Sequence, residues 1–228
     1  MPLVIGLAGS IATGKSTACD IIVDMGAVHC DADSLVHRLY DPGKPAFDRI
    51  VAIFGTEIVG DDGYIDRRAL GALVFGKPDE MNKLTTAIGD IAEAVENVVI
   101  DWRKTLAPGR VALLEAVNLI EAGYGSWCDQ VWLVASDQDV ARQRLAARNR
   151  FTPEEVEQRL ASQRPWEERA PASDLVIHNN GTQDDFERTV RNQLNSVKQL
   201  WENGELEPSK YHAWWEEFSA KRKAEQAE

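Results

Sequence analysis

The chain has 228 residues, 44% of them hydrophobic and 27% charged, with a formal net charge of −12. That balance excludes a disordered, fibrous or collagen-like chain, and the acidic excess disfavours a nucleic-acid backbone or an anionic membrane as partner. Cys19, Cys30 and Cys128 are widely spaced with no CxxC pair, so their pattern indicates neither a disulfide framework nor a zinc site and suits a reducing compartment.

The first predicted strand, Val4–Ala8, runs into Gly9-Ser10-Ile11-Ala12-Thr13-Gly14-Lys15-Ser16, a complete G-x-x-x-x-G-K-S phosphate loop, and then into a helix-compatible stretch, Thr17–Met25. A buried strand followed by a glycine-permitted turn and a helix N-terminus aims backbone N–H groups of Ala12, Thr13 and Gly14 at a polyphosphate. Lys15 supplies a point charge between the β- and γ-phosphates, Ser16 a hydroxyl for Mg²⁺, and Thr17 reaches the α-phosphate. The expectation is ATP or GTP with magnesium. A glycine-rich turn before an ordinary helix is the bland alternative.

A second strand, Val28–Asp31, leads to Cys30-Asp31-Ala32-Asp33. Strand alternation would put Asp31 and Asp33 on one face, near the phosphate loop. One carboxylate could then face hydrated Mg²⁺ and the other accept a proton from an attacking hydroxyl; alternatively Asp33 merely caps a helix starting at Ser34. His37, four residues on, would share the helix face of Asp33, as a site residue or as a structural hydrogen-bonding group. Cys30 reads as a small buried side chain, and His29, His178 and His212 as structural. About eighty residues separate this strand from the next, too many for one crossover. An insertion at about 41–107 is therefore expected, with helices at Arg67–Phe75 and Met81–Leu106.

Further strands are predicted at Val111–Glu115, Val131–Val134 and Leu175–His178. Glu115 is either a water-linked metal contact or a simple strand-end carboxylate. After the fourth strand, Arg142, Arg144, Arg148 and Arg150, followed by a helix opening at Thr152-Pro153-Glu154-Glu155, suggest a basic lid at about 142–166, against a solvated face paired with Glu154 and Glu155. Tyr211, Trp214, Trp215 and Phe218 fall on one helical face, expected to pack on the parent domain or on a second subunit. The fold class expected is α/β: a doubly wound, parallel, five-stranded sheet with a helical insertion and a helical lid over residues 1–200, and a helical extension with a charged tail at 201–228. With no charged leader and no apolar run near ~20 residues, a cytoplasmic protein is expected.

The phosphate loop, Asp31-Ala32-Asp33 with His37, Phe54-Gly55, Gly63-Tyr64-Ile65-Asp66-Arg67-Arg68-Ala69-Leu70 and Val74-Phe75 resemble, in order and spacing, motifs of the dephospho-coenzyme A kinases, a family of P-loop kinases. Leu119-Ile120-Glu121-Ala122-Gly123, Arg144-Leu145 with Arg148, and Gln163, Asp174, Ile177, Asn179 and Gly181 extend the likeness to about Asn195. The resemblance implies phosphoryl transfer from ATP to the ribose 3′-hydroxyl of dephospho-coenzyme A. It makes Asp33 the base, Arg148 a lid contact to the transferring phosphate, and Asn179 with Gly181 the border of the adenine cleft. Arg67 and His37 fall to the acceptor, and Ser16 with Asp31, through water, to Mg²⁺. A small-molecule partner and a monomer or small homo-oligomer are the matching expectations.

The chain departs from the family in three places. Ser10, Ile11, Ala12 and Thr13 stand where glycine is usual, Ile88-Gly89-Asp90-Ile91 where many members have a His-Pro pair, and Val117-Asn118-Leu119-Ile120 where many have Pro-Leu-Leu. A kinase for another small hydroxyl acceptor, such as a nucleoside, nucleotide or sugar acid, shares the loop and the aspartate; only the Gly63–Leu70 match and its neighbours speak against it. A guanine-reading switch is disfavoured because Asn82-Lys83-Leu84-Thr85 lacks the final aspartate of Asn-Lys-x-Asp.

Overall fold

The computed structural model describes residues 1–148 and 151–225. Its sheet contains β1 (Leu3–Gly9), β2 (Val28–Asp31), β3 (Val111–Glu115), β4 (Gln130–Ala135) and β5 (Leu175–His178), in the order β2-β3-β1-β4-β5. β1 is central, with Leu7 opposite Glu115 of β3 and Ala8 opposite Leu133 of β4, both pairings parallel. Every residue of β1, β3 and β4 is buried, as expected of parallel strands covered on both faces.

One face of the sheet is covered by α1 (Lys15–Asp24) and α10 (Gln183–Asn203). In α10, Phe186, Val190, Leu194 and Val197 recur at helical spacing and share one core with Ala18, Ile21 and Ile22 of α1 and with Ile5 and Leu7 of β1. On the opposite face Leu119 and Cys128 approach so closely that a Cβ at Gly6 would meet the Cys128 sulfur at 2.9 Å. Leaving β4, the chain forms α7 (Gln138–Arg148), α8 (Pro153–Ala161) and α9 (Trp166–Arg169). α8 starts on a complete capping box between Thr152 and Glu155.

Residues Asp31–Val98 form a second compact unit, the remainder the first. It holds α2 (Ala32–Leu39), α3 (Pro45–Phe54), α4 (Arg67–Val74), α5 (Pro78–Ile88) and the start of α6 (Ile91–Thr105). Its core of Tyr40, Ile50, Ile58, Ile65, Leu70 and Val74, with Val36 packed against it, draws in α2. For that reason the unit begins at Asp31 rather than near residue 41. The single helix expected over Met81–Leu106 is two helices. Gly89 takes φ 102 and ψ −154, a conformation outside the helical region, and Asp90 then accepts a bond from Glu93 N at 2.9 Å to open α6.

The C-terminal segment docks on the first unit. Asp174 accepts from Val131 N at 2.7 Å, from Ser209 Oγ at 2.7 Å and from Lys210 N at 2.8 Å, fixing the start of α11 (Tyr211–Glu225). Tyr211 is wholly buried and donates its hydroxyl to Ile120 O at 2.6 Å, while the rings of Trp214 and Phe218 stack 4.5 Å apart. Trp215 lies against Gly123, where a Cβ would meet its ring at 2.8 Å. Trp201 is separate from this aromatic face and packs on the α1–α10 side, donating to Met1 O at 3.2 Å.

Candidate active site

The strand-loop-helix unit places the phosphate loop as its sequence requires. β1 ends at Gly9, Gly14 takes φ 96 at the N-cap of α1, and no side chain caps that helix, so its first amides remain available to an anion. Ala12 stands at φ 61, a left-handed position that glycine adopts freely and alanine adopts at a cost of roughly 1 kcal/mol. The glycine-poor loop thus keeps a conformation suited to glycine. It is tied down internally by Thr13 Oγ1, which donates to Ser10 O at 2.8 Å, and from outside by Gln163, whose Oε1 accepts from Ile11 N at 2.7 Å.

Lys15 forms an ion pair with Glu115 at the end of β3. His29 Nε2 lies 3.0 Å from the second oxygen of that carboxylate. Burial alone would raise the Glu115 pKa, but hydrogen bonds from His29 and Lys15 outweigh it and hold the carboxyl at about 2. Glu115 is therefore an anion that holds the loop lysine in place. Ser16 is exposed at the head of α1, free of helix packing.

Asn179, just beyond β5, is buried and donates to Thr13 O at 2.9 Å, and its Oδ1 accepts from Arg144 Nη2 at 3.2 Å. Arg144 also reaches Ser136 Oγ at 3.2 Å, and Ser136 bonds Asn179 O at 2.9 Å. Asn179 and Arg144 thus brace the loop from the carboxyl end of the sheet. Together with Ala12, Gly14, Thr17 and Gln183 they line a cleft of about 340 Å³. Gly181 lies two residues beyond Asn179, with only Asp185 near the position a Cβ would occupy. A neighbouring cleft of about 390 Å³ is lined by Ser10, Thr13, Asp137, Gln163 and Trp166.

In the Asp31–Val98 unit the strand-alternation expectation fails, because Asp33 lies in the first turn of α2. Asp31 is the cap: its Oδ1 accepts from Asp33 N at 3.0 Å and Ser34 N at 3.3 Å. Asp33 is therefore not the cap of α2. His37 bonds the Tyr40 hydroxyl, with the two rings edge to face at 5.6 Å. Burial and then the positive charge of Arg67 lower the His37 pKa, against the pull of Asp33 and Asp31. Asp33, His37 and Arg67 thus share one electrostatic environment. The segment that delivers Arg67 explains its own motif: Gly63 turns at φ 79, Ile65 is buried, and Asp66 caps α4 through Arg68 N at 2.8 Å.

Arg148 closes α7, and its side chain lies outside the described residues, as does all of Arg150. Arg142 takes the solvated course, paired with Asp139 and with Glu157 rather than with Glu154 or Glu155. Two contributors escaped the sequence reading. Arg169 is buried, donates to Glu121 Oε1 at 2.7 Å and to Ser10 Oγ at 3.2 Å, and so ties Glu121 to the loop. Cys19 and His29 gather at Glu115, with Cys19 Sγ 3.3 Å from His29 Nε2. Nothing in their sequence spacing signals the first contact, since its partners lie far apart along the chain.

A central parallel sheet, a phosphate loop between β1 and α1, and a lysine at its helical end define a P-loop kinase fold. A family model of dephospho-CoA kinases matches residues 3–185. The chain belongs to that family of ATP-using, small-molecule kinases. It is 41% identical over 191 residues to a dephospho-CoA kinase of Geobacter sulfurreducens, which covers 82% of this chain and 94% of the relative. A dephospho-CoA kinase of Geobacillus kaustophilus is 36% identical over 204 residues, covering 89% and 98%. Among solved structures, TT1252 from Thermus thermophilus superposes with a TM-score of 0.69 at 28% identity over 86% of this chain and 98% of that one. A dephospho-CoA kinase from Campylobacter jejuni, at 23% identity and a TM-score of 0.65, covers 87% and 98% and shares the fold.

Proposed function

We propose that this kinase transfers the γ-phosphate of ATP to the ribose 3′-hydroxyl of dephospho-coenzyme A, giving coenzyme A. The observation that carries the reading is the uncapped N-terminus of α1, with Lys15 held at its first residue by an ionised Glu115. Phosphoryl transfer asks for alignment and charge neutralisation. The amides of Ala12, Thr13 and Gly14 and the hydroxyl of Thr17 hold the polyphosphate. Lys15 exchanges Glu115 for phosphate oxygens. Asn179, at the cleft it shares with Arg144, and Gly181 two residues on border the adenine. Asp33, unused as a cap, accepts the proton of the attacking hydroxyl, while His37 and Arg67 bind the acceptor and Arg148 contacts the transferring phosphate.

Ser16, with Asp31 through water, would hold Mg²⁺, which draws off charge developing on the phosphate oxygens. The exposed hydroxyl of Ser16 is an oxygen donor of the kind that hard cation takes. We read the chain as cytoplasmic, a monomer or small homo-oligomer, and without nucleic-acid partners; among the described residues no helix is long and apolar enough to cross a membrane. The test is incubation with Mg·ATP and a panel of dephospho-coenzyme A, adenosine, AMP and sugar acids, following each acceptor by mass. Dephospho-coenzyme A is expected to exceed adenosine and AMP at least about tenfold in kcat/KM, roughly 1.4 kcal/mol of discrimination. Equal use of adenosine would transfer the assignment to a kinase for another small hydroxyl acceptor.

A further inference from the structure

Beside the phosphate loop, three side chains from three elements converge: Cys19 on the second turn of α1, His29 on β2 and Glu115 at the end of β3. Their ligating atoms all lie within 4.8 Å of one another, with Cys19 Sγ 3.3 Å and Glu115 Oε2 3.0 Å from His29 Nε2. A tetrahedral ion bound at ~2.3 Å to sulfur and ~2.0–2.1 Å to nitrogen and oxygen needs ligand atoms about 3.3–3.6 Å apart. These two separations reach that range with shifts of a few tenths of an ångström, and the third pair, Cys19 Sγ and the Glu115 carboxylate, lies within 4.8 Å.

From this convergence we propose that Cys19, His29 and Glu115 form a site for a borderline-soft divalent cation of the Zn²⁺ or Co²⁺ class, distinct from the Mg²⁺ that accompanies the nucleotide. The donor set itself sets the class, since a thiolate and an imidazole disfavour Mg²⁺ and suit Zn²⁺. Cys19 and Glu115 are buried, whereas the His29 side chain is 29% exposed and provides the path of entry. Three protein ligands leave a fourth position for water on that side. On loading, the metal replaces the thiol proton of Cys19, which passes to solvent, so the sulfur binds as thiolate. Glu115 offers Oε2 to the site while Oε1 remains on Lys15. Occupancy therefore lowers the negative charge that the loop lysine meets. The wide spacing of the cysteines hid this site, because its ligands meet only through the α1-β2-β3 packing.

The test is titration of chelator-treated protein with Co²⁺ in excess Mg²⁺, followed by absorption. One equivalent is expected to give four-coordinate d–d bands with a near-ultraviolet thiolate-to-cobalt band, all displaced by Zn²⁺. Cys19→Ser should remove the thiolate band, and His29→Gln should keep it while weakening Co²⁺ binding at least about tenfold. Cys128→Ser should leave the spectrum unchanged. Should Cys19→Ser fail to fold, the partly exposed His29→Gln still decides the matter. Absence of the thiolate band in the wild-type protein, its survival in Cys19→Ser, or undiminished affinity in His29→Gln would each reduce the triad to a hydrogen-bonded cluster. None of these readouts depends on which acceptor the enzyme phosphorylates.

Discussion

The two compact units bury their chain differently. In the larger, β1, β3 and β4 are buried at every position, and the phosphate loop is braced by Asn179, Gln163 and Arg169, which lie more than a hundred residues downstream. In the smaller, short helices each contribute only one or two buried side chains to a shared core, and large apolar groups such as Phe75, 74% exposed, and Tyr64, 53% exposed, remain at the surface. A preorganised set of amides and charges stabilises a transferring phosphate because nothing has to be reorganised when charge develops. The larger unit is built for that. The smaller carries Asp33 in the first turn of α2, His37 in its last turn and Arg67 at the start of α4, on short helices rather than on the sheet.

The largest effect should test whether α11 is part of the larger unit's core. Tyr211→Ala removes a fully buried ring and its bond to Ile120 O, and should cost about 3–5 kcal/mol. Truncation after Asn203 should likewise lower the melting temperature. Calorimetry checks both, and an unchanged melting temperature in either variant would show that the C-terminal helix contributes nothing to the core.

Next come the two residues to which the proposed mechanism gives the chemistry, Lys15 and Asp33. Lys15→Ala should lower kcat/KM at least about a hundredfold, roughly 2.7 kcal/mol of transition-state stabilisation, in a protein that still folds. Near-normal turnover would remove the loop assignment. Asp33→Asn should lose activity on a similar scale while stability stays within about 0.5 kcal/mol, because Asp31 and not Asp33 caps α2. Full activity there would leave the smaller unit without its proposed base.

A smaller, local change separates cap from base within one motif. Asp31→Ala should cost about 1 kcal/mol, seen as faster amide exchange in α2, and Asp31→Asn should restore most of it. If Asp31→Ala leaves α2 exchange unaltered, the cap is dispensable. Least of all should be Arg142→Ala, whose ion pairs to Asp139 and Glu157 are solvent-exposed: a change within about 0.5 kcal/mol by denaturant titration is expected. A larger loss would mean that the solvated pairs hold α7 to α8.

The five strands and the phosphate loop were legible because their signals are local. A continuous apolar run reads as a buried strand, and glycine, lysine and serine at fixed offsets describe one turn of backbone. At Asp31-Ala32-Asp33 the local structure was misread: Asp33 continues into a helix instead of alternating along a strand. The pattern Asp-x-Asp is compatible with both a strand end and a helix cap, and the choice depends on the packing of Val36 and Tyr40 in the smaller core. Gly89-Asp90 carried a break-and-cap signal that the long apolar periodicity on either side concealed.

The order of chain elements, the loop that meets phosphate and the apolar face of Tyr211, Trp214, Trp215 and Phe218 were determined by the sequence alone, since each depends on neighbours within a turn or two of backbone. Only the tertiary structure decided that Lys15 rests on Glu115, that Asn179 and Arg144 brace the loop, that Arg169 joins Glu121 to Ser10, and that Cys19 and His29 meet at one carboxylate. Such contacts link positions up to 166 residues apart. They exist because strands distant in sequence lie side by side in a parallel sheet, and no local periodicity records which carboxyl ends will be neighbours.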